Sequence, residues 1–328
     1  MNFSPYLLLT GGTGFFGRAL LRTWLDAFET GGTVPTVTIL SRSPTAFLDR
    51  YSEFAKLPWL RFHVGDICTP STLPWNESFS HILHAAADST LGPQLSPLQR
   101  FHQIVDGTRN MLEYAVACGA RRFLLTSSGG VYGPQPPAME RIPEDYHGLP
   151  DPLNPANAYS VAKRAAEHLC ALYQEAHDLE VVIARCFAFV GQDLPLDAHF
   201  AIGNFIRDAL QGDFIRVSGD GTPLRTYLDQ EDLAHWLLTL LERGQPGAAY
   251  NVGSDEVVSI AELAHRVRDL LAPGKPVEIR GQSSVALGRN RYVPDIRKAR
   301  EELGLTVRIP LAEAIRRAGT TNRAQLLT

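Results

Sequence analysis

The stretch Tyr6-Leu7-Leu8-Leu9-Thr10-Gly11-Gly12-Thr13-Gly14-Phe15-Phe16-Gly17 reads as a short apolar strand, a glycine-rich turn and the first turn of a helix. Its glycines satisfy G-x-G-x-x-G at 12, 14 and 17, and G-x-x-G-x-x-G at 11, 14 and 17. A dinucleotide pyrophosphate needs a backbone without Cβ atoms to lie against, and N–H groups at a helix N-terminus to bind it. Taken alone, such a turn is a plain strand-to-helix connection. Between a strand and a helix at the head of an alternating chain, the phosphate-binding reading is favoured. Gly11, Gly14, Phe15, Phe16 and Gly17 are therefore expected to line a dinucleotide site.

Beyond this turn, apolar runs alternate with helical stretches. Strands are expected over 36–40, 60–64, 80–84, 122–126 and 181–184, with helices over 16–28, 98–118 and 159–177. Strands separated by helices make a parallel sheet covered on both faces. The expected fold is α/β, a doubly wound parallel sheet of Rossmann type with a smaller, irregular α/β C-terminal lobe. The dinucleotide-binding domain is expected over 1–186 with a return segment near 226–254, and the second lobe over 187–328. Prolines at 134, 136, 137, 143, 150, 152 and 155 exclude regular helix there and mark a long loop of the kind that covers a site. Helices over 200–210, 231–241 and 260–271 fill the second lobe.

With 45 % hydrophobic residues the chain has ample material for a core. Thirty-one basic against thirty-five acidic residues give a net charge of −4, which offers no general attraction to nucleic acid or anionic lipid. No apolar run approaches the ~20 residues that cross a bilayer, and Tyr6–Leu9 is too short for a signal peptide. Cys68, Cys118, Cys170 and Cys186 lie far apart with no Cys-x-x-Cys pair, so neither a metal site nor a disulfide framework is expected, and the cytoplasm is the expected compartment.

The second strand ends Ile39-Leu40-Ser41-Arg42. An NAD site normally carries a carboxylate there for the ribose 2′-hydroxyl. A hydroxyl and a guanidinium would instead accept a 2′-phosphate, so Ser41 and Arg42 tilt the cofactor towards NADP over NAD; a solvated loop arginine is the competing reading. Asp66, followed by Ile67, sits where a carboxylate could accept from the adenine amino group, or is a plain turn residue. The small Ala85 and Ala86 after the fourth strand would let a cofactor lie against backbone. His84 reads as a packed core histidine rather than a base.

Tyr159-Ser160-Val161-Ala162-Lys163 places a phenol and an ammonium one helical turn apart on one face. Carbonyl–alcohol interconversion needs a group that moves a proton as hydride moves. A free tyrosine, with a pKa of ~10, is a poor base at neutral pH. A neighbouring ammonium favours the phenolate, and a shift of ~3 units corresponds to about 4 kcal/mol. Ser127 and Ser128, at the end of the fifth strand, face the ligand crevice of such sheets, where a hydroxyl could steady the reacting oxygen.

Together these elements resemble the extended short-chain dehydrogenase/reductase family, in its nucleotide-sugar epimerase/dehydratase branch. The resemblance covers nearly the whole chain: the glycine turn, Ser-Ser-x-x-Val-Tyr-Gly at 127–133, Tyr159/Lys163, the run 219–225 with Asp229 and Asp232, and Tyr250-Asn251-Val252-Gly253. It implies Tyr159 as acid/base, Lys163 as its ribose-binding partner and Ser128 as the assisting hydroxyl. Arg225 would meet the diphosphate of a nucleotide sugar, with Asn204 and Phe205 near the nucleotide. A homodimer is expected, since the helices at 98–118 and 159–177 could pair with their symmetry mates into a four-helix bundle.

The departures are informative. Family 4,6-dehydratases carry Asp-Glu, and decarboxylases a Glu, where this chain has Gly129-Gly130. Ile104 and Ala188 stand where asparagines are usual. The expected activity is therefore NAD(P)-dependent oxidation or reduction at C4 of a nucleotide-linked hexose, as epimerase or 4-ketoreductase. The alternatives are a dehydratase or decarboxylase with an atypical acid (Glu144 or Asp145), or a non-catalytic dinucleotide-binding sensor.

Overall fold

A computed structural model describes residues 6–87, 95–198, 200–281 and 291–325. The chain begins β1 (Tyr6–Thr10), α1 (Phe15–Glu29), β2 (Thr36–Ser41), α2 (Pro44–Arg50), β3 (Leu60–Val64), β4 (His81–His84), α3 (Pro97–Ala117) and β5 (Arg122–Ser128). It continues α4 (Ala158–Ala176), β6 (Glu180–Cys186), β7 (Phe189–Val190), α5 (Ala201–Gln211), β8 (Ile215–Val217), β9 (Leu224–Arg225), β10 (Leu228–Asp229) and α6 (Gln230–Arg243). Last come β11 (Ala249–Val252), β12 (Val258–Ser259), α7 (Ile260–Leu271), β13 (Val277–Ile279), β14 (Arg291–Tyr292), α8 (Arg297–Leu303) and α9 (Leu311–Gln325). Two compact units result: Met1–Val131, Pro150–Arg185 and Ala234–Tyr250 form one, and the remaining segments the other.

The first unit is built on a seven-stranded sheet in the order β3-β2-β1-β4-β5-β6-β11. Leu7, Leu8 and Leu9 are buried on both sides of the pleat, as a central parallel strand requires. The parallel registers pair Thr10 with Leu40 on one side and with His84 on the other, so β1, β2 and β4 end at one edge. Strand order reverses between β1 and β4, which is where ligands bind in open α/β sheets. Doubly wound topology therefore stands as read from sequence. The sequence reading stops at six strands, and β11 adds a seventh.

Helices α3 and α4 lie side by side over the sheet. A capping box between Ser96 and Gln99 starts α3, each side chain satisfying the other residue's backbone N–H. Met111, Leu112 and Tyr114 from α3 and Ala162, Ala166 and Cys170 from α4 join one core cluster with the sheet.

The second unit holds three small sheets: β7 beside β10, β9 between β12 and β14, and β8 beside β13. Lys275 closes the C-terminal end of α5, its Nζ donating to the carbonyls of Asp208, Ala209 and Gly212 at 3.2, 2.7 and 2.5 Å. Asp232, with a wholly buried side chain, accepts from the backbone N–H groups of Arg308 and Ile309 and from Arg308 Nε. The proline-rich loop is ordered by pairing: Ile142 bridges Pro294, and Ile142 and Asp295 exchange further backbone bonds with that segment. Asn251 clasps it, donating to the carbonyls of Ile142 and Asp295 and accepting from Tyr132 Oη at 2.8 Å.

Candidate active site

The glycine turn has the close approaches that exclude side chains. A methyl on Gly17 would lie 2.2 Å from the Gly12 carbonyl, and one on Gly12 2.7 Å from the Ile39 side chain. Gly11 has φ +72° and backs onto the Ala85 carbonyl, which a methyl would meet at 2.6 Å. Gly14 is the N-cap of α1 and caps it with no side chain, so the positive end of the helix is directed at the turn. This bare cradle fits a dinucleotide pyrophosphate.

Ser41 stands at the end of β2, and Asp66 and Ile67 follow the end of β3. Ser41 ends β2 one residue past Leu40, the partner of Thr10, and its Oγ accepts from the Ser43 N–H. Asp66 follows β3, and one of its carboxylate oxygens accepts from the Cys68 N–H at 2.8 Å in a local turn. The Ile67 carbonyl takes a hydrogen bond from Asn110 of α3, which fixes this wall. Cys68 is exposed, but its surroundings push its thiol up to about 11, through burial and the carboxylates of Asp66 and Asp106. Iodoacetamide at pH 8 should therefore alkylate it roughly ten-fold more slowly than an ordinary exposed thiol, as peptide mapping would measure.

His84 is buried at the end of β4, and its ring bridges two hydroxyls: Thr10 Oγ1 at 2.8 Å from Nδ1 and Thr108 Oγ1 at 3.3 Å from Nε2. The Ala86 N–H donates to the same Thr10 oxygen. Burial and the nearby Lys163 ammonium push His84 down to about 3, which keeps the ring neutral. It is a core histidine, as its sequence context suggests, that ties together the strand ends under the cofactor cradle.

Helix α4 carries Tyr159 and Lys163. Tyr159 packs against the α3–α4 core, whereas Lys163 is 4 % exposed and donates from Nζ to the Thr126 carbonyl at 2.7 Å. Thr126 in turn clips β5 to β4 by donating from Oγ1 to the His84 carbonyl. One residue further, Ser127 Oγ donates to Glu167 Oε1 at 2.5 Å, and Glu167 is gripped by Arg185 of β6 at 2.8 Å. Ser128 Oγ accepts from the Gly130 N–H at 3.1 Å, which leaves its hydroxyl proton to donate elsewhere. Sequence reasoning missed Thr126, Glu167 and Arg185. The spacing Tyr159, Lys163, Glu167 was the available signal, since i, i+4, i+8 shares one face.

Gly129 and Gly130 form a tight turn after β5, and a Cβ on Gly130 would sit 2.7 Å from Ser160 Oγ. No carboxylate follows Ser128 in this turn.

In the second unit, Arg225 lies on β9, its guanidinium 6.0 Å from the centre of the Tyr292 ring, with one nitrogen donating to the Leu224 carbonyl. Asn204 is half-buried on α5 and accepts from Arg207 at 3.3 Å, while Phe205 is a core residue of that helix. Glu144, on the proline-rich loop, accepts from the Asn251 N–H at 2.8 Å, and burial raises its carboxyl above the usual range. Asn251 is saturated by structural bonds, so the run 250–253 holds the loop in place.

The reversed sheet order, the bare glycine turn and the Tyr-x-x-x-Lys helix define an extended short-chain dehydrogenase/reductase. Residues 7–253 match the model of the NAD dependent epimerase/dehydratase family, and the chain belongs to that family. It is 30 % identical over 309 residues to UDP-glucuronic acid decarboxylase 6 of Arabidopsis thaliana, covering 94 % of this chain and 86 % of that one. Among solved structures, the dTDP-glucose 4,6-dehydratase DesIV from Streptomyces venezuelae, with NAD bound, superposes with a TM-score of 0.82 at 25 % identity over 97 % of each chain. RMD from Pseudomonas aeruginosa, complexed with NADPH, gives 0.78 at 26 % identity over 98 % of this chain and 100 % of that one. Among the described residues no helix is long and apolar enough to cross a membrane.

Proposed function

We propose that this chain is an NAD(P)-dependent enzyme that oxidises or reduces C4 of a nucleotide-linked hexose, with Tyr159 as the acid/base. The observation that carries the reading is the docking of α4 on β5: Lys163 is pinned to the Thr126 carbonyl one turn from Tyr159, and Ser128 ends the same strand. Bound nicotinamide supplies the hydride acceptor or donor. Tyr159 takes the proton from the C4 hydroxyl, or returns it to a C4 ketone. Lys163 holds its positive charge one turn away and favours the phenolate. Ser128, its lone pair already engaged by Gly130, donates to the same sugar oxygen. Neutral His84 adds no competing charge. Arg225 would meet the nucleotide diphosphate, with Asn204 and Phe205 near the nucleotide, and α3 and α4, with Leu98 and Leu172 exposed, would form a homodimer face.

With Gly129-Gly130 after Ser128, chemistry that needs an acid at that place is disfavoured, which supports epimerisation or ketone reduction. A second reading rests on the relatives. Oxidation at C4 of a uronic acid makes the C5 carboxylate β to a ketone, and such an acid releases CO₂ without a carboxylic partner. Decarboxylation is therefore open to the same residues. Incubation with UDP-glucose, UDP-glucuronate, dTDP-glucose and 4-keto sugars, with either cofactor, separates the outcomes by NMR: a C4 epimer, a pentose with CO₂, or a new alcohol with one oxidised cofactor. Absence of turnover on all of them would contradict the proposal.

The β2 end supports NADP. Arg42→Asp is expected to weaken NADPH binding at least ten-fold relative to NADH, about 1.4 kcal/mol, read by titrating the cofactor's fluorescence.

A further inference from the structure

The buried charges behind the Tyr159–Lys163 pair are arranged in a way the proposed reaction does not require by itself. Lys163 and Glu167 are one turn apart on the same buried face of α4, the spacing at which lysine and glutamate pair readily. Yet they do not pair here. Lys163 donates to the Thr126 carbonyl at 2.7 Å. Glu167 accepts from Ser127 Oγ at 2.5 Å and is held by Arg185, whose Nε lies 3.1 and 3.2 Å from its two oxygens and whose Nη2 lies 2.8 Å from one of them. Both charges nevertheless act on one buried point: the Cys170 thiol is pushed up by burial and by Glu167, and pulled down by Lys163.

We infer that Arg185 is a positioning residue: by occupying the Glu167 carboxylate, it keeps the Lys163 ammonium on the Thr126 carbonyl and available to Tyr159. A bidentate guanidinium is the group suited to this, because its rigid fork saturates a carboxylate that a point charge would leave half-satisfied. Without Arg185, Glu167 would be a buried carboxylate with one serine partner, which is costly. The cation one turn away on its own face would swing to it. Nζ would leave Thr126, and its field on the Tyr159 oxygen would be cancelled by the carboxylate. The other ionisable groups around Lys163 do not substitute. His84 on β4 is neutral, Cys170 on α4 is held as the thiol, and Arg109 and Glu113 of α3 act on Tyr173, ten residues along α4.

This inference rests on the proposed role of Tyr159 and Lys163, and one titration separates the two. Absorbance at 295 nm of the full chain saturated with NADP+ is followed against pH, and the curve of Tyr159→Phe is subtracted to isolate Tyr159. The wild type is expected to ionise at least one pH unit below ~10. Arg185→Gln should raise that midpoint by about one unit, a ten-fold loss of phenolate at a given pH. The double variant Glu167→Gln/Arg185→Gln, an uncharged pair of similar shape, should return within about 0.3 units of the wild type. Should Arg185→Gln fail to fold, Arg185→Lys, which keeps the charge but not the fork, is expected to show a smaller rise, and the double variant is read as before. An unshifted midpoint in folded Arg185→Gln, or a double variant raised as far as the single, overturns the inference. A wild-type midpoint at or above ~10 instead removes the Tyr159–Lys163 reading beneath it.

Discussion

Tyr159→Phe is expected to lower turnover by roughly 10³-fold while leaving dinucleotide affinity within about three-fold of the wild type. The substitution removes one oxygen. Its ring stays packed against the α3–α4 core, and Lys163 remains on the Thr126 carbonyl, because that bond is made by α4 and β5 alone. What disappears is the proton's destination at C4, and Ser128 cannot replace it: its hydroxyl can donate, but its pKa is far too high for it to accept a proton at neutral pH. Steady-state rates on the productive nucleotide sugar, with cofactor titrations alongside, check both halves. A loss below ten-fold would remove Tyr159 from the chemistry, and a large loss of cofactor affinity would make it a binding residue.

Gly17→Ala should have the largest effect on the cofactor cradle. The added methyl would stand 2.2 Å from the Gly12 carbonyl, a backbone group fixed by the turn, with no flexible side chain to yield. Helix α1 must therefore move away from the turn. The expected result is a destabilisation of several kcal/mol and a loss of cofactor affinity beyond 100-fold. Thermal melting with and without NADP+ measures both: the wild type should gain stability from the cofactor, and the variant should gain none. Gly219→Ala serves as the control, because that Cβ has no heavy atom within 4 Å and needs no positive φ; its stability should change by less than about 0.5 kcal/mol.

The parts of the fold that follow from local rules were legible in the sequence. Leu7–Leu9 read as a strand buried on both sides, the proline-studded segment could not be helical, and the glycine turn marked the passage from a strand to a helix. Tyr159 and Lys163 were legible because their spacing alone puts them on one face. The residues that hold them were harder to read. Thr126 acts through its carbonyl, which any residue would supply, so no side-chain identity marks it. Arg185 meets Glu167 only because β6 lies beside β5, a neighbourhood set by sheet order. Asn251 belongs to a run that carries the family resemblance, and its four bonds to Tyr132, Ile142, Glu144 and Asp295 became visible only once the loop's path was known. His84 could be assigned to the core, but its neutrality follows from its burial and from the Lys163 ammonium that α4 brings near it.

The central claim is that a nicotinamide dinucleotide lies on the glycines after β1 with its reactive ring beside the Tyr159 hydroxyl. A crystal structure of the protein grown with NADP+ tests it most directly. The account predicts density for the pyrophosphate against Gly11–Gly17, the Lys163 ammonium within hydrogen-bonding distance of the nicotinamide ribose, and the phenol oxygen facing the ring. A dinucleotide bound elsewhere, or a phenol turned from the nicotinamide, would contradict it.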